Sequence, residues 1–220
     1  MKAPLDCKTI DEMLAGGIES GCLTLIYGEG GSGKTNFVLQ LARNIAREKK
    51  VLFIDTEGVS IERLKQISGD EYEEILKNIL FSEPYTSKEQ QKIVEKAANL
   101  AEKNKDVGAI IVDSATTYYR LTRLQDEFRE RRNLADQVTR LLKVTRTRDI
   151  PVVLTSQVYT DLQTGSFEPL GGHMLSHNAK TIISLEKVET HQRRVVLKKH
   201  RHLAEGRVAL FSLTDKGMEC

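Results

Sequence analysis

Residues 28–36, "GEGGSGKTN", set four glycines, a lysine and a threonine directly after the apolar run "CLTLIY". That composition suits phosphate. Glycine-rich backbone can curl its N–H groups around phosphate oxygens, and a helix beginning there adds the positive end of its dipole. Gly28–Thr35 matches G-x-x-x-x-G-K-[ST] at every fixed position, with a strand pattern before it and a helix pattern after it. The expected nucleotide contacts are therefore Gly28, Glu29, Gly30, Gly31, Ser32, Gly33, Lys34, Thr35 and Asn36. Lys34 would meet the outer phosphates and the Thr35 hydroxyl would ligate Mg²⁺, so ATP and Mg²⁺ are the predicted cofactors.

Three further polar residues fall at the ends of apolar runs: Glu57 after "VLFIDT", Asp113 closing "GAIIVD", and Gln157 after "PVVLTS". In a parallel sheet the carboxyl ends of the strands share one edge, and ligands bind there. Asp113 suits the Mg²⁺ shell as a second metal-side residue beside Thr35. Glu57 suits activation of an attacking water, with Asp55 of the same "DTEG" as its competitor. Gln157 cannot act as a base but can donate a hydrogen bond to a terminal phosphate, which suits a sensor.

Positioning these groups is the work of an alternating pattern. Short apolar runs at 22–27, 51–55, 108–113 and 151–156 are separated by amphipathic stretches. Phe37, Val38, Leu41, Ala42 and Ile45 form one stripe at helical spacing, and Leu134, Val138, Leu141, Leu142 and Thr145 another. "SKEQ" (87–90) reads as a capping box, with Ser87 and Gln90 opening a helix. The predicted class is α/β, a mostly parallel central sheet flanked by helices. The runs at 180–186, 194–199 and 208–213 read as a C-terminal antiparallel extension, and residues 1–220 as a single domain.

Composition narrows the rest. A net charge of +2 is too small to require nucleic acid, so any such partner must meet local clusters. Cys7, Cys22 and Cys220 lack metal-ligand spacing and read as reduced, structural thiols of a cytoplasmic protein. No stretch approaches the ~20 apolar residues of a membrane span. Two basic clusters could meet a phosphate backbone. Arg120, Arg123, Arg129, Arg131 and Arg132 are diluted by Asp126, Glu127 and Glu130, whereas Lys198, Lys199, His200, Arg201 and His202 have no acid among them. Tyr118 and Tyr119 offer stacking surfaces for unpaired bases. Each cluster has a plainer reading as well, a salt-bridged helix face or a charged edge strand.

Taken together, "GGIESGCLTLIYGEGGSGKT", "VLFIDTEG", "AIIVDSATTYYR", "VVLTSQV" and "LGGHMLSHNAKTI" resemble the RecA/RadA/Rad51 recombinases. The resemblance runs from Leu5 to Leu213 and implies a RecA-like P-loop ATPase core. It implies that Glu57 activates water and that Gln157 senses the γ-phosphate and leads into a DNA-binding loop. It further implies that His177 contacts nucleotide across a subunit boundary and that Arg63 stacks on adenine, although the segment from Gly58 to Arg63 is one residue short of the pattern. Departures are informative. The helical N-terminal DNA-binding domain and the Phe-x-x-Ala subunit hook are missing, the second DNA loop is short, and the first is rich in arginine. This minimal pattern is most similar to the archaeal RadB branch. That implies ATP binding with weak hydrolysis, non-sequence-specific DNA binding, and an accessory role beside a main recombinase, with homo-oligomers left open. Two alternatives stand beside it: an autonomous filament-forming strand-exchange recombinase, and a KaiC-type signalling ATPase, which "LAGGIESG" also suits.

Overall fold

The computed structural model describes residues 2–122, 126–161 and 165–220. Strands β1 (Lys2–Ala3) and β2 (Ile18–Glu19) pair antiparallel around helix α1 (Lys8–Met13). The phosphate motif lies between β3 (Leu23–Gly28) and α2 (Lys34–Ala46). Then follow β4 (Lys50–Asp55), α3 (Ile61–Ser68), α4 (Tyr72–Asn78), β5 (Ile79–Ser82), α5 (Ser87–Lys103), β6 (Val107–Asp113), α6 (Thr117–Arg120), α7 (Glu127–Arg148) and β7 (Val152–Ser156). A small hairpin of β8 (Val158–Thr160) and β9 (Phe167–Pro169) leads to α8 (Gly172–Asn178). The chain closes with β10 (Thr181–Lys187), β11 (Gln192–Lys199), β12 (Val208–Thr214) and β13 (Gly217–Glu219).

Nine of these strands form one sheet in the order β13-β12-β11-β10-β3-β7-β6-β4-β5. The sheet is parallel from β10 to β5 and antiparallel from β10 to β13. The run at 180–186 therefore differs from expectation: α8 acts as a crossover that returns β10 parallel to β3, and the hairpins begin only after it. Register aligns the carboxyl ends. Gly28 stands beside Leu185, Tyr27 beside Ser156, and Asp55 beside Asp113.

Both sheet faces are covered where the strands are parallel. Phe37, Val38, Leu41 and Ala42 of α2 are fully buried on one face, while Val94, Ala98 and Ala101 of α5 and Val138, Leu141 and Val144 of α7 bury the other. Each large apolar side chain so buried contributes about 1.5–3 kcal/mol. Arg140 forks onto both oxygens of Glu102 (2.7 and 2.8 Å), tying α7 to α5. That contact holds the Glu102 carboxyl down at about 2.

Two local expectations are corrected. The cap of α5 is Thr86, whose Oγ1 accepts from Glu89 N (3.2 Å), while Glu89 Oε2 accepts from Tyr85 N (2.8 Å). Ser87 is thereby freed to donate to Glu130, and Gln90 turns inward to Ala115 O and Gln137. The cysteines are not all reduced thiols. Cys7 and Cys220 form a disulfide with Cα atoms 5.4 Å apart, a separation suited to one. Cys22 is buried and free, its thiol pushed up to about 11 mainly by burial. Behind the disulfide, the buried amide of Gln40 in α2 donates to Leu5 O (2.7 Å) and Met218 O (3.2 Å) and accepts from Met218 N (2.8 Å).

Candidate nucleotide-binding site

The phosphate loop leaves β3 at Gly28, where a Cβ would lie 2.3 Å from Leu185 O of the adjacent strand. Only glycine lets β10 pass so close. Gly33 caps α2 at φ 101°, a left-handed conformation that an L side chain resists. Lys34 is buried, its ammonium donating to Gly28 O (2.8 Å) and Glu29 O (3.0 Å) across the loop. Burial lowers its pKa, and the carboxylates of Glu57, Asp113 and Glu29 offset that. A buried ammonium held by two loop carbonyls at the N-terminus of α2 is placed where an anion is favoured.

Behind the loop, Asp113 ends β6 fully buried. Its Oδ1 accepts from Thr155 Oγ1 (2.5 Å), while Oδ2 has no partner among the described residues. Burial raises the carboxyl to about 6, opposed by the Thr155 hydrogen bond and the neighbouring Thr35 hydroxyl. An orphaned carboxylate oxygen beside Thr35 is a hard oxygen donor set, which suits Mg²⁺. Ser32 Oγ is likewise buried without a partner inside the loop. The residues present thus fit a magnesium–nucleotide complex.

The rivalry between Asp55 and Glu57 is decided by hydrogen bonds. Asp55 accepts from the backbone N–H groups of Glu57 (3.0 Å), Gly58 (2.9 Å) and Val59 (2.5 Å). Its carboxylate builds the turn that throws Glu57 outward. Glu57 is exposed, and its Oε1 accepts from Gln157 Nε2 at 2.7 Å. Gln157 Oε1 is buried and has no partner among the described residues. A carboxylate and a neutral amide donor are thus paired beyond the ends of β4 and β7.

Residues 2–220 match the Rad51 family. A "DNA repair and recombination protein RadB" from Methanococcoides burtonii is 47% identical over 96% of this chain and 95% of its own length. A protein of the same name from Archaeoglobus fulgidus is 41% identical over 100% and 98%. The solved "Crystal structure of the RadB recombinase" superposes with a TM-score of 0.84 at 32% identity, covering 99% of this chain and 98% of that one. The chain belongs to the Rad51 family. Its fold is that family's, a RecA-like core whose parallel sheet gains antiparallel C-terminal strands.

Within this Rad51-family chain the remaining predicted residues are distributed unevenly. Arg63 lies beside the start of α2, donating to Asn36 Oδ1 (2.6 Å), Gln66 Oε1 (3.0 Å), Thr214 O (2.7 Å) and Asp215 O (3.2 Å). A guanidinium so fully engaged is fixed in position. His177 is not near its own phosphate loop. It is exposed at the opposite end of β3, lining a cavity with Gly21, Arg146, Lys180 and Arg201.

The basic segment after β11 is less free than its sequence suggests. Lys199 Nζ donates to Ser176 O (2.8 Å), and Arg201 donates to Gly21 O (2.9 Å). The fold also brings in an acid: Glu19 lies 3.9 Å from His200 Nε2, 3.9 Å from Arg201 and 3.8 Å from His202. The His200 side chain is 1% exposed, and burial lowers its pKa. Lys198 alone among the first four is exposed with no ion pair among the described residues, and it lines a cavity with Glu168 and Glu186. In the other cluster Arg129 pairs with Asp126 (3.4 Å) and Glu130 (3.5 Å), whereas Arg131 and Arg132 line a cavity with Phe128, His173 and Met174. Arg123 falls outside the described residues. Tyr118 is tethered to Pro84 O (2.6 Å), and Tyr119 packs on the core.

Two cations outside the motif also reach the loop. Lys187 stands 3.9 Å from Glu29, and Arg193 Nε donates to Gly31 O at 3.1 Å. The register of β10 with β3 is the signal that could have revealed them, because Leu185 is level with Gly28.

Proposed function

We propose that this chain is an ATP-binding, DNA-binding protein of homologous recombination and DNA repair that hydrolyses ATP slowly and modulates a main recombinase. The observation that carries the nucleotide reading is the convergence of Lys34, the unpartnered oxygen of Asp113 and the Glu57–Gln157 pair at one sheet edge. Backbone N–H groups of the loop and Lys34 would hold the phosphates, while Thr35 and Asp113 would hold Mg²⁺, which supplies charge neutralisation at the phosphates. Glu57 would orient a water and take its proton, with Gln157 fixing the carboxylate's direction. The Asn36–Arg63 corner would receive the adenine.

Slow turnover is supported by an incomplete site. The cations at the loop, Lys34, Lys187 and Arg193, are all engaged with loop atoms, and His177 lies at the far end of the sheet. Completion by a neighbouring subunit or partner is therefore part of the proposal. Lys198, Lys199 and Arg201, with Arg129, Arg131 and Arg132, are the proposed DNA contacts, and the names of the RadB relatives support a recombination role. The test is nucleotide affinity with and without single-stranded DNA. Lys34→Ala should weaken binding of an ATP analogue about 10–100-fold by removing a charged contact worth about 1.5–3 kcal/mol. Unchanged affinity would sink the assignment.

A further inference from the structure

Lys187 and Arg193 are cross-strand partners on β10 and β11. They continue the row of Leu185, which faces the α2 side of the sheet, so both project past the carboxyl end of β3 and over the phosphate loop. Arg193 is 8% exposed, yet its guanidinium meets only carbonyls: Gly31 (3.1 Å), Glu189 (2.9 Å), Thr190 (3.3 Å) and Gln192 (3.0 Å). Among the described residues no carboxylate pairs with it. A buried charge without a counter-charge is costly, so this cation lacks half of its environment. Lys187 has a counter-charge, Glu29, but a loose one at 3.9 Å and itself part of the loop. A Cβ on Gly31 would lie 3.2 Å from Lys187 Cε and 3.4 Å from Nζ, which places the ammonium directly against the loop.

We infer that the β10–β11 hairpin is a second cationic lobe of the phosphate site and selects a nucleoside triphosphate over a diphosphate. Lys187 is a phosphate ligand held in reserve by Glu29: the ammonium exchanges the glutamate for an oxygen of the terminal phosphate. Arg193 is a positioning residue that fixes the Gly31 carbonyl and keeps the loop's N–H groups turned inward. Its uncompensated charge adds to the field that favours the more highly charged ligand. This rests on the nucleotide reading above and adds to it a basis for discrimination.

The experiment is titration of the full chain with a non-hydrolysable ATP analogue and with ADP, each with Mg²⁺. Lys187→Ala sits on a half-exposed side chain and should fold normally. It should weaken the analogue about tenfold and ADP less than twofold, collapsing the ratio of the two affinities, and Lys187→Arg should restore most of the ratio. Glu29→Gln should move the ratio the other way, tightening the analogue about two- to fivefold. Arg193→Lys keeps charge but loses the fork, and should lower both affinities together. A Lys187→Ala protein with the wild-type ratio overturns the inference while leaving nucleotide binding intact. A wild-type chain that binds neither ligand overturns the nucleotide reading itself.

Discussion

Replacing Asp113 by Asn tests the metal side of the site through stability as well as binding. The carboxyl is raised from 3.8 to about 6 by burial. A group with a raised pKa contributes stability that is fully present below its unfolded value and is lost as pH rises through the folded one. The difference of about two units corresponds to about 3 kcal/mol over the whole range, of which roughly 1 kcal/mol falls between pH 5 and pH 7. Asn keeps an acceptor for Thr155 and carries no charge. The metal-free Asp113→Asn protein should therefore be more stable than wild type at pH 7.5 and about equal to it near pH 4. Thermal unfolding at pH 4, 5, 6, 7 and 7.5 reads this directly. Adding Mg²⁺ and ADP should then invert the order at pH 7.5, because only the carboxylate can offer its free Oδ2 to the ion. Parallel stability–pH curves for the two proteins, or equal Mg²⁺–ADP stabilisation of both, would refute the assignment of Asp113.

Glu57→Gln should leave nucleotide affinity within about twofold and lower an already slow hydrolysis by about 10²–10⁴, read by phosphate release; undiminished turnover removes Glu57 as base. Lys198, Lys199 and Arg201 together replaced by Ala should weaken single-stranded DNA binding for every sequence and reduce the salt slope by about two units, which fluorescence titration at several salt concentrations checks. Acidification from pH 8 to pH 6 should strengthen DNA binding less than an exposed histidine at position 200 would, since burial lowers the His200 pKa; the same titration over pH checks it. The disulfide closes nearly the whole chain, so Cys7→Ser or added reductant should destabilise by up to about 5 kcal/mol and lower Tm, and the variant should no longer respond to reductant.

What the sequence made legible was local chemistry and strand ends. The phosphate loop is a contiguous motif, and Glu57, Asp113 and Gln157 each follow an apolar run, so topology alone carried them to one edge. The roles of Gln40 and Glu19 were not legible, because each is defined by backbone N–H groups or charges that arrive from segments distant in sequence. Asp55 was legible only as a rival of Glu57 until its turn hydrogen bonds were seen. Cys7 and Cys220 are separated by 213 residues and belong to different elements. The capping residue moved by one position because Thr86 and Ser87 are chemically equivalent caps, and Glu130 on another helix decides between them.

The clamp at Gln40 has a topological side. With Cys7 and Cys220 covalently joined and their Cα atoms 5.4 Å apart, the polypeptide is in effect a closed circuit, and one amide of the helix that begins at the phosphate loop holds the seam. Nothing in the pocket depends on where that circuit is cut. The loop at 28–35 and the carboxylates at 57 and 113 would meet in the same way if the ends were bridged and the backbone opened at the exposed turn around Gly206. The seam is thus hydrogen-bonded to the helix that begins at the phosphate loop rather than hanging free of it.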